Sequence, residues 1–328
     1  MNAGVFLVLA SCLVVLGGCR ATSAPKSAEP SFTLKELAPN IWAAISNSRS
    51  SAPAPANTGF VIGDDGVVVI DASMSVDAEG NLGTDTARQT LAAIRTITKQ
   101  PVRFVINTHH HPDHVGGNAV FVEAGAIVLA QRNVRAWIHE ENLRLFTKDS
   151  KPQHKAFMEG LLAPTVTYDE SVELHLGSRM IRVESLPGHT GGDSVVLVPD
   201  AKVVFAGDLL WRDIVPTLDD GSTKPWIDTL DKLATSEPGA TFVPGHGEVG
   251  NAKDVAAFHE YLVTLRKLVS DAQAAGMSGE ALADAVIPGL RDRYRRWDGF
   301  DYSARPNILQ TDAELRGKKR IPQADSTR

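Results

Sequence analysis

The chain of 328 residues is nearly free of cysteine: Cys12 and Cys19 are the only two, and both fall within the first twenty residues. The body of the protein therefore has no disulfides, thiolate metal sites or thiol nucleophiles, and a metal there must be held by histidine and carboxylate. Positive charge is also in short supply. Thirty-three Lys and Arg against 39 Asp and Glu give a formal charge of −6. No broad basic footprint faces a phosphate backbone, so nucleic acid is not expected as a partner. The apolar run Val5–Leu16 is twelve residues long, too short to span a bilayer. With 43 % hydrophobic and 22 % charged residues, neither wholesale disorder nor a fibrous architecture fits.

The length of that apolar run suits a signal-peptide core. It ends in Leu16-Gly17-Gly18-Cys19, which resembles a bacterial lipobox with Cys19 as the lipidated residue. Met1–Gly4 departs from the pattern in having no Lys or Arg. Residues 1–19 are thus expected to export the chain to the periplasm and anchor it in a membrane through lipid on Cys19. Residues 20–31, small, polar and proline-bearing, read as a tether.

From Phe32 onward the pattern is globular. Phe60–Ile62 and Val67–Ile70 flank Gly63-Asp64-Asp65-Gly66 and predict a hairpin. Ser46–Asn57 reads as a mobile loop. A helix is expected over Asp85–Lys99, and strand Val102–Ile106 runs directly into a histidine cluster. Further strands are expected at Ile127–Leu129, Val172–Leu176, Met180–Leu186, Val195–Val198 and Val203–Phe205. Helices are expected at Asn133–Phe146, Pro225–Ala234 and Ala252–Ala275, with one more after Ser278. The basic run Arg291–Arg296 reads as a solvated helix face. The pieces 67–73 (VVVIDAS) and 203–210 (VVFAGDLL) hint at an old duplication. The order of elements predicts a layered α/β body.

Four of the ten histidines lie within six positions, in Thr108-His109-His110-His111-Pro112-Asp113-His114. The cluster follows a strand, where α/β sheets hold their ligands. His109 and His111, two apart in an extended loop, can share one cation, and beyond Pro112 the side chains of Asp113 and His114 can face a second. Three later motifs each follow a strand and bring one ligand-type residue beside glycine. They are Pro187-Gly188-His189-Thr190-Gly191-Gly192-Asp193-Ser194, Phe205-Ala206-Gly207-Asp208 and Pro244-Gly245-His246-Gly247.

In this order and spacing the motifs resemble the metallo-β-lactamase superfamily over Phe32–Gly247. The resemblance implies a four-layered αβ/βα sandwich, with 32–275 as the hydrolase domain and 276–328 as a C-terminal helical extension. It implies two zinc ions: His109, His111 and His189 on the first, Asp113, His114 and His246 on the second, and Asp208 bridging. Asp71, at the end of the VVVID strand, would support the metal loop without ligating. His110 carries no role by resemblance.

Two zinc ions about 3.5–4 Å apart would hold a hydroxide between them, with Asp113 as the catalytic group that orients it and moves a proton. The implied reaction is hydrolysis of an ester, thioester, lactone or amide, β-lactams included, in a small molecule. Asp208 in place of a cysteine ligand resembles the glyoxalase II-like and lactonase-like branches, and the run Val215–Trp226 resembles uncharacterised periplasmic hydrolases. The Gly-Cys-Gly-Arg stretch of glyoxalase II is absent after Asp208, which argues against a glutathione thioester. The alternatives are a persulfide dioxygenase-type enzyme with one iron on the equivalents of His109, His189 and Asp208, and a non-catalytic surface lipoprotein on the same fold. Trp211, Arg212 and Lys224, in the irregular stretch after Asp208, are expected to line the substrate mouth, the cations clamping an anionic group.

Replacing Cys19 with Ser is expected to move the protein from the membrane to the soluble fraction on cell fractionation. Wild-type protein already soluble in the periplasm would replace the lipobox by an ordinary secretory signal.

Overall fold

The structure, a computed structural model, describes residues 30–48, 54–144 and 146–322. The signal segment, Cys19 and nearly all of the proposed tether lie outside the described residues. The chain begins with strands β1 (Phe32–Ala38) and β2 (Ile41–Ser46), then the expected hairpin of β3 (Thr58–Ile62) and β4 (Val67–Ile70). A small pair, β5 (Ser75–Val76) and β6 (Leu82–Gly83), precedes α1 (Asp85–Ile97) and β7 (Val102–Asn107). There follow α2 (Pro112–Val115), α3 (Asn118–Glu123), β8 (Ile127–Gln131), α4 (Arg132–Arg144), α5 (Pro152–Glu159) and β9 (Val166–Tyr168). The second half holds β10 (Ser171–Leu176), β11 (Arg179–Ser185), β12 (Ser194–Val198), β13 (Val203–Trp211), α6 (Thr223–Ser236) and β14 (Thr241–His246). It closes with α7 (Ala252–Ala274), α8 (Gly279–Tyr294) and α9 (Phe300–Leu315).

These strands form two main sheets, in the orders β1-β2-β3-β4-β7-β8-β9 and β10-β11-β12-β13-β14. Alternation of side chains along a strand assigns each sheet two apolar faces. In β4, Val68 and Ile70 join the core between the sheets, while Val67 and Val69 join the core under α1 and α3. In β12, Val196 and Val198 face the same inter-sheet core, while Val195 and Leu197 pack with the α6–α9 helices. The result is helices, sheet, sheet, helices: the four-layered sandwich that the family resemblance implies.

Several local expectations shift. Strands β1 and β2 pair where no strand is marked in the sequence, and α5 likewise lacks a strong periodic signal. Of the stretch expected as a loop, residues 49–53 lie outside the described residues. Residues Ala54–Asn57 are buried, and Asn57 Nδ2 donates to the carbonyls of Pro244 and Gly247. β13 continues through Gly207 as far as Trp211, because its pairing with β14 persists through two register shifts.

The tail holds two helices after Ser278, not one, and α8 takes up the first four residues of the basic run, where Arg291 pairs with Asp301 and Arg293 with Glu260. Leu282, Val286, Leu290, Phe300 and Ile308 share one core with Trp226 and Phe258 of α6 and α7. α7 itself begins at a capping box in which the Asn251 side chain accepts from Lys253 N and Asp254 accepts from Asn251 N. No helix among the described residues is long and apolar enough to cross a membrane.

Because the tail is packed into that core, Leu290→Ala is expected to cost about 2–5 kcal/mol of whole-protein stability. Urea unfolding followed by circular dichroism checks this. A variant that loses only α8 and α9 signal while the main transition stays put would make the tail a separate unit.

Candidate metal centre

Parallel pairing aligns the carboxyl ends of β4, β7 and β8 in one sheet and of β13 and β14 in the other. The histidine cluster leaves β7, Asp208 lies on β13, His246 ends β14, and His189 sits on the β11–β12 loop. Pro112 occupies the first turn of α2, a position that tolerates its missing N–H, so the chain turns there and places Asp113 and His114 beyond it. Two bonds tie the loops across the sheets, Ser194 N donating to Thr108 O and Asn57 N to Gly245 O, while Ser222 N donates to Gly188 O between two loops of the second sheet.

Three imidazoles converge first. His111 Nδ1 lies 3.1 Å from His109 Nε2 and 2.9 Å from His189 Nε2. Donors around one tetrahedral ion with bonds of 2.0–2.1 Å stand about 3.3 Å apart, so this spacing suits a shared cation. Asp113, His114 and His246 form the second group, with His246 Nε2 3.1 Å and His114 Nε2 3.5 Å from Asp113 Oδ2. Asp208 faces both. Its Oδ2 lies 3.3 Å from His189 Nε2, and its Oδ1 lies 3.1 Å from His114 Nε2 and 3.5 Å from His246 Nε2. His114 Nε2, His246 Nε2 and Asp208 Oδ1 are buried yet make no hydrogen bond. Buried polar atoms without partners are costly, and a cation is the partner this donor set fits.

Close approach depends on two glycines. Gly207 has φ +51°, and a Cβ there would lie 2.5 Å from Thr108 Oγ1. A Cβ on Gly245 would lie 1.9 Å from Asp208 Oδ1.

Burial pushes His109 well below the ordinary imidazole range and His189 down to about 3, with the neighbouring imidazoles adding to the shift. Both rings are therefore neutral, the form that ligates a metal. His114 moves the other way. Desolvation opposes its charge, but Asp208, Asp113 and Asp71 together raise it well above the usual value. Asp113 and Asp208 are held low against their desolvation, chiefly by His114 and His246.

Asp71, at a left-handed φ of +59°, stands outside the cluster and holds it. Its carboxylate accepts from Thr108 N at 2.7 Å, Thr108 Oγ1 at 2.8 Å and His114 Nδ1 at 2.8 Å. With Nδ1 donating, His114 offers Nε2 to the centre.

The structure brings all seven expected ligand residues to this one place, and it gives the three residues expected at the substrate mouth partners within the protein. Arg212 is paired with Asp254 at 2.8 Å and donates to Val249 O, so its guanidinium supports the start of α7. Lys224 pairs with Asp228 on the exposed face of α6. Trp211 is buried and stacks on His246, ring centroids 4.2 Å apart. It forms the wall behind a candidate ligand residue, as Trp226 does against His189 at 5.3 Å. Asp220 carries no signal in the sequence, since Asp219-Asp220-Gly221 looks like any turn. It is buried, and its Oδ2 lies 3.2 Å from His111 Nε2 and 3.6 Å from His110 Nε2. His110, also buried, is pushed down to about 4 by desolvation.

A sequence profile described as the Metallo-beta-lactamase superfamily matches residues 52–246. Among curated proteins, a linear primary-alkylsulfatase of Pseudomonas sp. is 22% identical over 56% of this chain and 40% of its own length. A hydroxyacylglutathione hydrolase of Brucella ovis is 29% identical over 44% of this chain and 47% of its own. The matches thus span less than half the length of these relatives. A solved metallo-beta-lactamase from Pontibacter korlensis superposes with a TM-score of 0.57 over 71% of this chain and 99% of its own, at 23% identity, a likeness of fold.

Gly245→Ala is expected to displace Asp208 and lower metal content and activity by at least about tenfold, at a stability cost of about 1–3 kcal/mol. Elemental analysis of the folded variant checks this. Full metal loading would show that Asp208 is free to move without consequence.

Proposed function

The chain belongs to the metallo-beta-lactamase superfamily, and from that premise we propose that it is a two-zinc hydrolase of small molecules. In this reading it is exported to the periplasm and anchored by lipid at Cys19. The observation that carries the reading is the pair of donor groups joined through one carboxylate, Asp208. His109, His111 and His189 would hold one zinc, Asp113, His114 and His246 the other, and Asp208 both. When bound, the metals lower the pKa of a water toward 7 and polarise the oxygen of the bond to be cleaved.

The rest falls to the chain's own residues. Asp113 is the least enclosed of the carboxylates at the centre, its side chain 19% exposed against 2% for Asp208. Held ionised by His114 and His246, it can accept a proton from the attacking water and pass it to the leaving group. His109 and His189, neutral by burial, keep their lone pairs free. Trp211 and Trp226 close off the back of the site.

The substrate is an ester, thioester, lactone or amide, β-lactams included. The similarity to a hydroxyacylglutathione hydrolase supports the thioester, although Leu209-Leu210-Trp211-Arg212 follows Asp208. The alkylsulfatase relative adds a sulfate ester to the panel. A one-iron dioxygenase would leave Asp113, His114 and His246 without a task, and that complete second group favours the hydrolase. The same intact set speaks against a retired, non-catalytic fold.

Elemental analysis of the purified protein is expected to find about two zinc ions per chain, and Asp208→Ala is expected to lose more than about tenfold in activity together with part of the metal. Chromogenic esters, lactones, thioesters, sulfate esters and β-lactams provide the assay. One equivalent of iron with negligible zinc would turn the reading to the dioxygenase.

A further inference from the structure

We propose that Asp220 is a positioning residue for His111, and that the chain's C-terminal segment holds Asp220 in place through Arg320. The proposal rests on the reading of His109, His111 and His189 as one metal site. A neutral imidazole has one N–H and one lone pair, and the hydrogen bond at one nitrogen decides what the other offers. His111 Nδ1 faces His109 and His189, while its Nε2 lies 3.2 Å from Asp220 Oδ2. A carboxylate that accepts from Nε2 leaves the Nδ1 lone pair directed at the shared centre. Asp71 does the same for His114 through the opposite nitrogen. Each metal group thus has one histidine oriented by a buried aspartate.

Asp220 is itself held by charges of alternating sign. Its Oδ1 accepts from the Arg144 guanidinium. Arg144 Nε donates to Glu141 at 2.8 Å, and Glu141 receives both terminal nitrogens of Arg320 at 2.7 Å each. The Asp220 and Glu141 side chains are only 3% exposed, so removing one partner leaves a buried charge uncompensated. Beside Arg320, Lys319 Nζ donates to the carbonyls of Leu218 and Gly221, on either side of Asp220. The segment after α9 therefore fastens the loop that carries Asp220. His110, His111 and Asp220 could also be taken for a third metal site. The Arg144 guanidinium on the same carboxylate argues against it, because a cation there would sit against a fixed positive charge.

The test uses the full chain stripped of metal, with cobalt(II) as the probe and its visible absorption as the readout. A His246→Ala background isolates the three-histidine group. Asp220→Ala is expected to weaken cobalt binding there about 10–100-fold. Asp220→Asn, which keeps an acceptor oxygen, should lose less, and Arg320→Ala several-fold. Cobalt affinity within twofold of the parent in a folded Asp220→Ala protein, with only the melting temperature lowered, would make Asp220 merely structural and overturn the proposal. Should Asp220→Ala not fold by circular dichroism, Asp220→Asn and Arg320→Ala decide it: unchanged affinity in both overturns it. A parent protein that takes up no cobalt fails at the earlier step and removes the metal reading itself.

Discussion

Asp208 is a buried carboxylate with imidazoles around each of its two oxygens, His189 near one and His114 and His246 near the other. A dry, ionised carboxylate is costly unless positive charge compensates it. Here the His114 and His246 nitrogens that face it make no hydrogen bond. A bound cation is the partner that would satisfy the carboxylate and those nitrogens together. Much of the local architecture serves this arrangement: β13 passes through the left-handed Gly207 to come beside Thr108, and β14 arrives at Gly245, where a side chain would collide with Asp208.

Orientation of the rings is a separate problem, solved outside the cluster. Asp71 ties the end of β4 to the start of the histidine loop through Thr108 and fixes His114 in the same act. Asp220 approaches His111 from the other sheet's side of the chain, on the loop between β13 and α6. Since the Asp220 loop is bonded to the His189 loop through Ser222 N and Gly188 O, the two loops cannot move independently without breaking that bond.

The outer helices connect this chemistry to the far end of the chain. α8 and α9 fill the core beneath the second sheet with Leu282, Leu290 and Ile308, and the residues just after α9 return to the site as Lys319 and Arg320. Glu314 of α9 accepts from Thr223 N at the start of α6. The tail thus packs against the same core as α6 and α7, and its contacts reach the loop beside the candidate metal residues.

The convergence of the seven candidate ligand residues was legible in the sequence because each sits in a short motif after an apolar strand, with glycine or proline shaping the turn. The layers were legible because strands and helices alternate along the chain and because β4, β12 and β13 are near-continuous apolar runs, as strands buried on both faces are. Weakly patterned elements such as β1, β2 and α5 were not, since their pairing and packing, more than their composition, define them. Arg212 and Asp220 show the limit most clearly. In sequence, Arg212 looks like a free cation beside the site and Asp220 like a turn residue. Their partners, Asp254 for one and His111 and Arg144 for the other, lie 42, 109 and 76 residues away. A charge's role depends on what neutralises it, and a buried partner across the fold leaves no mark in the local pattern. Residue type and spacing determined which groups could bind metal; only the tertiary structure decided which charged groups were already taken.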